Sequence, residues 1–238
     1  MKVAVQITTQ EAVKKIIDKS SVMIGGFLGA AVPLKMIDEI AAAGIKDLTV
    51  ISIGAGYRGG GVDIGKMVLN KQIIKYVTSH VGTDPNLIKQ IVGEEVELEL
   101  SPMGTFVERV RAGGAGLGAV VTPVGMGTEV EAMAEKIIVD GNPYLLFKPI
   151  RADVAVIKAY RSDPLGNLQY QGMSNTNPVM ATAADIVIAE VDEIVGVGEI
   201  ACEQVGTPGI FVDYIVQGHS YEERKNIYEE LWIATNKL

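Results

Sequence analysis

Cysteine, histidine, aromatic residues and positive charge are all scarce in this sequence of 238 residues. The lone cysteine, Cys202, excludes an intramolecular disulfide and suits a reducing, cytoplasmic setting. Aromatic residues make up 5% and tryptophan occurs once, so the stacking platforms that hold single-stranded nucleic acids are lacking. The two histidines, His80 and His219, are far apart and in no metal-ligand spacing, and no metal site is expected. With 21 Lys and Arg against 29 Asp and Glu, the formal net charge of −8 argues against a nucleic-acid or anionic-membrane partner. Hydrophobic runs are strand-length and broken by glycine, so no membrane span is expected. The stretch Met1 to Gln6 turns polar at Gln6 and Thr8, too early for a signal-peptide core.

Glycine, by contrast, is abundant at 27 residues, and the hydrophobic share of 48% is that of a globular protein with one substantial core, read as a single domain over 1–238. Strand-length apolar runs alternate with helical stripes through the first half. Thr8 and Glu11 form a capping-box pattern ahead of Ala12, Val13, Ile16 and Ile17. Ser21 to Ile24, Leu48 to Ile53, Ile73 to Ser79 and Val96 to Leu100 read as strands. Pro33 opens a helix that Gly44 ends, Asp84-Pro85 opens another, and Thr105 with Glu108 is expected to cap a third. Such alternation predicts an α/β fold: an open, mostly parallel sheet with helices on both faces in Rossmann-like layers, and ligands near the strands' C-terminal ends. The second half predicts hairpins around Asp140-Gly141-Asn142 and Asp163-Pro164-Leu165-Gly166-Asn167, a short helix from Asn177-Pro178, and a charged helix from about Ser220.

The sharpest local feature is Ile24-Gly25-Gly26-Phe27-Leu28-Gly29-Ala30-Ala31-Val32-Pro33, a strand running through a glycine turn into a helix. Its glycines permit close backbone approach to a ligand, and the helix start offers free N–H groups to anionic oxygens. The spacing fits neither the dinucleotide fingerprint nor the nucleotide-hydrolase phosphate loop. A tight turn and a binding loop are equally compatible with it. A second block, Arg109 to Gly118, reads as a basic helix end followed by a glycine loop, with Arg109 and Arg111 satisfying helix carbonyls. Cys202 lies between acids and reads as a small structural residue. Glu94, Glu95, Glu97 and Glu99 read as turn residues and a solvated strand face, and Glu190, Asp192 and Glu193 as a strand exit. No nucleophile stands out.

Several of these blocks also fall in an order seen elsewhere. Gly25-Gly26-Phe27 with Pro33, then Gly104-Thr105 with Arg109 and Arg111-Ala112-Gly113-Gly114-Ala115-Gly116, then Ala152-Asp153 with Gly166-Asn167, then Asn175 and Asn177-Pro178 with Ala183-Ala184 resemble the α subunit of family I coenzyme A transferases. The match runs from about residue 8 to about residue 217. The resemblance implies an α2β2 assembly in which a glutamate of the β subunit is the nucleophile, so that this chain carries no catalytic residue of its own. A coenzyme A thioester would be the substrate, with no permanently bound cofactor. The loop of Gly25, Gly26, Phe27, Leu28, Gly29, Ala30 and Ala31 would hold the coenzyme A or acyl group.

The sequence departs from the family pattern at several places. Glycine is usual where Ala31 stands, glycine or asparagine at Lys19, and an asparagine that helps hold the thioester oxygen at Ile53. The family's Arg-Asn-Phe-Asn-Pro becomes Ser174-Asn175-Thr176-Asn177-Pro178. Ile53 and Gly54 are therefore candidates for an oxyanion or acyl pocket that has been reshaped. Three readings follow: coenzyme A transfer between a short acyl-CoA and a free carboxylate, a lyase or hydrolase of the same fold acting on a β-keto or unsaturated acyl-CoA, and a non-catalytic acyl-CoA-binding subunit.

Overall fold

Local signals in the first half set the secondary structure much as expected. The computed structural model describes residues 3–56 and 61–234, so Met1 and Lys2 lie outside it. The first strand, β1 (Val5–Gln6), leads to α1 (Thr9–Val13), whose capping box is complete: Thr8 Oγ1 accepts from the Glu11 N–H and Glu11 accepts from the Thr8 N–H. Then follow β2 (Ser21–Ile24), α2 (Leu34–Ala42), β3 (Leu48–Ile51), α3 (Ile64–Leu69), β4 (Ile73–Thr78), α4 (Pro85–Val92), β5 (Glu97–Leu100) and α5 (Met103–Ala115). Asp84 caps α4 by accepting from the N–H groups of Asn86 and Leu87.

The second half supplies β6 (Val120–Thr122), β7 (Glu135–Val139), β8 (Asn142–Phe147), β9 (Ala152–Ser162), β10 (Leu168–Gln169), α6 (Asn177–Met180), β11 (Ala184–Ile194), β12 (Tyr214–Gln217) and α7 (Tyr221–Ala234). The main sheet runs β1-β12-β11-β9-β2-β3-β4-β5 with every neighbour parallel, and β10 pairs antiparallel with β9. β6, β8 and β7 form a separate antiparallel sheet that contains the first expected hairpin.

Strand periodicity divides the core between the two sheet faces. Val22, Ile24, Val50, Tyr76, Val154 and Val156 point to one face, where α1 to α4 and Tyr228 of α7 pack. Met23, Ile51, Val77, Ala155 and Ile157 point to the other, against Phe106 and Val110 of α5 and Met180 of α6. Helices thus cover both faces, as the apolar patterning requires.

One expectation about α5 is corrected. The helix begins at Met103 behind Pro102, with Thr105 buried inside it, and it continues through Gly113 and Gly114. These two glycines are contact points and not a loop: a Cβ on Gly113 would lie 2.1 Å from the Ile150 carbonyl oxygen, and one on Gly114 would lie 2.1 Å from Thr182 Oγ1. Gly116, at φ 69°, is the left-handed cap that ends the helix. Arg109 does not turn to the helix carbonyls either. It is buried and donates to Glu99 Oε1, Ser101 Oγ and the Lys148 carbonyl.

Candidate active site

The sheet order reverses between β2 and β9: from β2 the chain runs outward through β3, β4 and β5, and from β9 the other way through β11 and β12. In open parallel sheets the crevice at such a switch point, beyond the strands' C-terminal ends, is the usual ligand site. Gly25–Ala31 follows β2 and therefore rims this crevice.

The loop is a tight reverse turn. Phe27 and Ala30 exchange N–H···O bonds of 3.0 and 2.9 Å, with Leu28 at φ 48° and Gly29 at φ 87° between them. Two positive φ values in sequence are the signature of a type I′ turn. Ala31 follows at φ 54°, and Lys19, distant in the chain, stands at φ 68°. The two positions where the family pattern has glycine or asparagine are thus left-handed positions, and the preference there has a conformational cause.

Residues 174–178 fasten the turn. Asn177 Oδ1 accepts from the Lys158 N–H at 2.8 Å, and Asn177 Nδ2 donates to the carbonyls of Ala31 and Ser174 at 3.1 and 2.9 Å. Asn175 Nδ2 donates to the Ala30 carbonyl at 3.2 Å. The glycines are filled from within the protein: Gly25 is approached by Asn177, Gly26 by Ala31 and Val32 of its own loop, and Gly29 by the ring of Tyr228. Beyond β3, Ile53 is buried in the α5-side core, and its carbonyl accepts from Thr78 Oγ1 and Ser79 Oγ. Gly54 lies against the Phe27 ring, so the structure brings this one of the two acyl-pocket candidates to the turn.

A cavity of about 600 Å³ opens on the other side of the turn, lined by Leu28 to Ala31, by the ends of β9 and β11, and by Tyr221, Arg224 and Trp232 of α7. Its size is that of a small-molecule site. Ile53 and Gly54 are not among its lining residues.

Sequence reasoning missed the charged group beside this cavity. Lys158 and Glu190 are register partners on β9 and β11, and both are buried, as is Asp192. Asp192 bonds Lys158 Nζ through Oδ1 and Arg224 Nη2 through Oδ2. Burial lowers the Lys158 amine from its ordinary value, opposed by Glu190 and Asp192. Burial pushes the Glu190 carboxyl up to about 7, against the pull of Lys158 and of the Met36 N–H in the first turn of α2. Glu190 and Asp192 are therefore strand residues under load and not a strand exit. The available signal was the presence of charges inside apolar runs such as Ala155-Val156-Ile157-Lys158-Ala159.

The remaining candidates fall elsewhere. His80 pairs through its backbone with Gly54, and His219 Nδ1 lies 4.0 Å from Glu223 Oε2. Cys202 is exposed at the start of a short 3-10 turn. Glu97 and Glu99 both pair with Lys75, and Glu99 also holds Arg109. Among the described residues no cluster of His, Cys, Asp and Glu is arranged to hold a metal ion, and no helix is long and apolar enough to cross a membrane.

A parallel sheet with a glycine turn and a small-molecule cavity at its switch point defines a class of ligand-binding α/β proteins, and comparison with known proteins narrows it. The family described as coenzyme A transferase matches residues 6–218, and the chain belongs to that family. It is 44% identical over 201 residues to the acetoacetyl-CoA:acetate/butyrate CoA transferase alpha subunit of Clostridium acetobutylicum, covering 84% of this chain and 91% of that one. It is 39% identical over 211 residues to the acetate CoA-transferase subunit alpha of Escherichia coli K12, covering 88% of this chain and 95% of that one. The fold matches an acyl-CoA transferase from Escherichia coli O157:H7 with a TM-score of 0.84 at 21% identity, over 91% of this chain and 47% of that longer one.

Proposed function

We propose that this chain is the α subunit of a cytoplasmic CoA transferase that moves coenzyme A between a short-chain acyl-CoA and a free carboxylate such as acetoacetate, acetate or butyrate. The observation that carries the reading is the state of the carboxylates at the cavity. Both Asp192 oxygens are bound by cations, and Glu190 is fully buried. Neither is a free nucleophile, which supports an attacking carboxylate supplied by a partner. Relatives named as alpha subunits, matched over nearly their whole length, support a partner subunit, and in this reading the assembly is α2β2 with the catalytic glutamate on the β subunit.

In this reading the β-subunit carboxylate attacks the thioester carbonyl, the C–S bond breaks, and a mixed anhydride and the coenzyme A thiolate form. The thiolate then attacks the glutamyl carbonyl of the anhydride, releasing the first acid and leaving a glutamyl-CoA thioester. The acceptor carboxylate reverses both steps and restores the glutamate. The role of this chain is positioning. Gly25–Ala31 holds the thioester arm, and the Gly54 N–H serves the thioester oxygen in place of the side-chain donor that Ile53 lacks. The test is to assay butyryl-CoA with acetoacetate or acetate, using the chain alone and with its β subunit. Transfer is expected only with the partner. Robust transfer by the chain alone contradicts the reading, and thioester hydrolysis or decarboxylation without transfer supports a lyase or hydrolase instead.

A further inference from the structure

The family match ends at residue 218, yet α7, at Tyr221–Ala234, supplies one wall of the cavity. The helix has its own start signal: Ser220 Oγ accepts from the Glu223 N–H at 3.3 Å, and Glu223 accepts from the Ser220 N–H at 2.8 Å. It is docked by Tyr228, whose ring meets Gly29, and by Ile227 and Leu231, which pack on the core. Arg224 and the exposed rings of Tyr221 and Trp232 also line the cavity.

The charge around that cavity is unlike that of the molecule. The chain carries a net −8, but the cavity lining holds three cations, Lys158, Arg224 and Lys225, and one carboxylate, Asp192. Lys225 is turned toward Glu229 at 3.7 Å near the surface. Lys158 and Arg224 share one ion-paired carboxylate, Asp192. Glu190 accepts from the Met36 N–H through Oε2 and acts on Lys158 and Arg224 through space. Arg224 has five N–H donors of fixed geometry. Its side chain is 17% exposed, and among the described residues Asp192 is its one hydrogen-bonded partner, through Nη2. Aromatic rings complete the same wall, and the Arg224 guanidinium lies 6.0 Å from the Tyr221 ring centroid.

We infer that Arg224 is a specificity-determining residue, and that the cavity under α7 takes an acid or thioester whose apolar body carries a further oxyanion at the end remote from the reacting carboxyl. The rings of Tyr221, Tyr228 and Trp232 cover the body, while the free edge of the Arg224 guanidinium pairs with the oxyanion in two-point fashion. The ligand's charge adds to the countercharge that Lys158 and Arg224 already draw from Asp192 and Glu190. The inference rests on the reading of this cavity as the transferase's substrate site. Two sources present the required chemistry: the distal carboxylate of a dicarboxylic acyl group, and a phosphate of coenzyme A.

Trp232 is the only tryptophan of the chain and lines the cavity, so its fluorescence reports occupancy without any turnover. The full chain is titrated with succinate, butyrate and inorganic phosphate, the first two differing by one carboxylate on a four-carbon frame. Succinate is expected to bind at least tenfold more tightly than butyrate. Arg224→Gln erases that preference, and Arg224→Lys, which retains charge but not the fork, keeps only part of it. Tighter binding of phosphate than of succinate assigns the oxyanion to coenzyme A, and the reverse assigns it to the acyl group. Equal binding of succinate and butyrate, no saturable response to any of the three, or a preference that survives both substitutions overturns the inference. The readout needs neither partner nor transfer, so its failure is distinct from a failure of the transferase reading.

Discussion

The side-chain amide of Asn177 occupies the space where Gly25 would carry a Cβ: that atom would lie 1.8 Å from Asn177 Oδ1. The contact joins the end of β2 to the segment opening α6. It lets one amide bond the Lys158 N–H and the Ala31 carbonyl together, which ties the glycine turn to β9 across the switch point.

Gly25→Ala forces Asn177 out of this place, and overpacking of this kind costs about 1–3 kcal/mol. Asn177→Ala strands the buried Lys158 N–H at a cost of about 1–3 kcal/mol. Because the two residues share one contact, the double variant is expected to be more stable than the sum of the single losses, by about 0.5–3 kcal/mol. Urea unfolding of the four proteins measures this, and strict additivity refutes the clamp.

Ala31 and Lys19 hold left-handed backbone at φ 54° and φ 68°. A non-glycine residue there costs roughly 1–2 kcal/mol, and the added freedom of an unfolded glycine returns about 0.5–1 kcal/mol of that. Ala31→Gly and Lys19→Gly are each expected to stabilise the protein by about 0.5–1 kcal/mol, read as a higher denaturant midpoint. A lower midpoint for either shows that the side chain contributes more than the backbone strain removes.

These two positions also show what was legible in the sequence and what was not. The alternation of strands and helices, the Thr8 and Asp84 caps and the glycine turn announce themselves because their causes are local, within a few residues of chain. The cause of Gly113 and Gly114 is not local: Ile150 and Thr182 press on them from other segments, so a glycine run that reads as a loop is a helix face. Glu190 and Asp192 were misread for the same reason. The partners of Asp192 are Lys158 and Arg224, distant in the chain and joined to it only by the parallel pairing of β9 with β11 and the return of α7.

Arg109 anchors α5 to β5 and to the chain before β9 through Glu99, Ser101 and Lys148. Burial raises the Glu99 carboxyl, but Arg109 and Lys75 outweigh it and hold the group below its ordinary value. Arg109→Met breaks a largely buried pair whose carboxylate keeps Lys75, so the loss falls below the ~3–5 kcal/mol of a fully buried pair, at about 2–3 kcal/mol. Arg109→Lys is expected to recover less than half, since a lysine cannot reach three acceptors with fixed geometry. Full recovery by lysine, in urea titrations of both variants, argues that charge alone matters.

Glu190 makes stability depend on pH in a definite direction. Its carboxyl is raised from 4.5 to about 7, chiefly by burial, so between these values the folded chain binds more protons than the unfolded chain. Its contribution to stability is therefore fully present below about pH 4.5 and is lost as pH rises through about 7, a change on the order of 3 kcal/mol. Glu190→Gln removes this titration. Relative to wild type, the variant's melting temperature is expected to rise from pH 5 to pH 8, and a constant difference across that range excludes a raised carboxyl.

The central claim is that this chain shapes a substrate site and leaves the nucleophile to its partner. Intact-protein mass spectrometry of the assembled complex, incubated with an acyl-CoA and no acceptor acid, tests it most directly. The account predicts a coenzyme A adduct on the β subunit and an unmodified mass for this chain. A covalent adduct on this chain, at Glu190, Asp192 or any other residue, would contradict it.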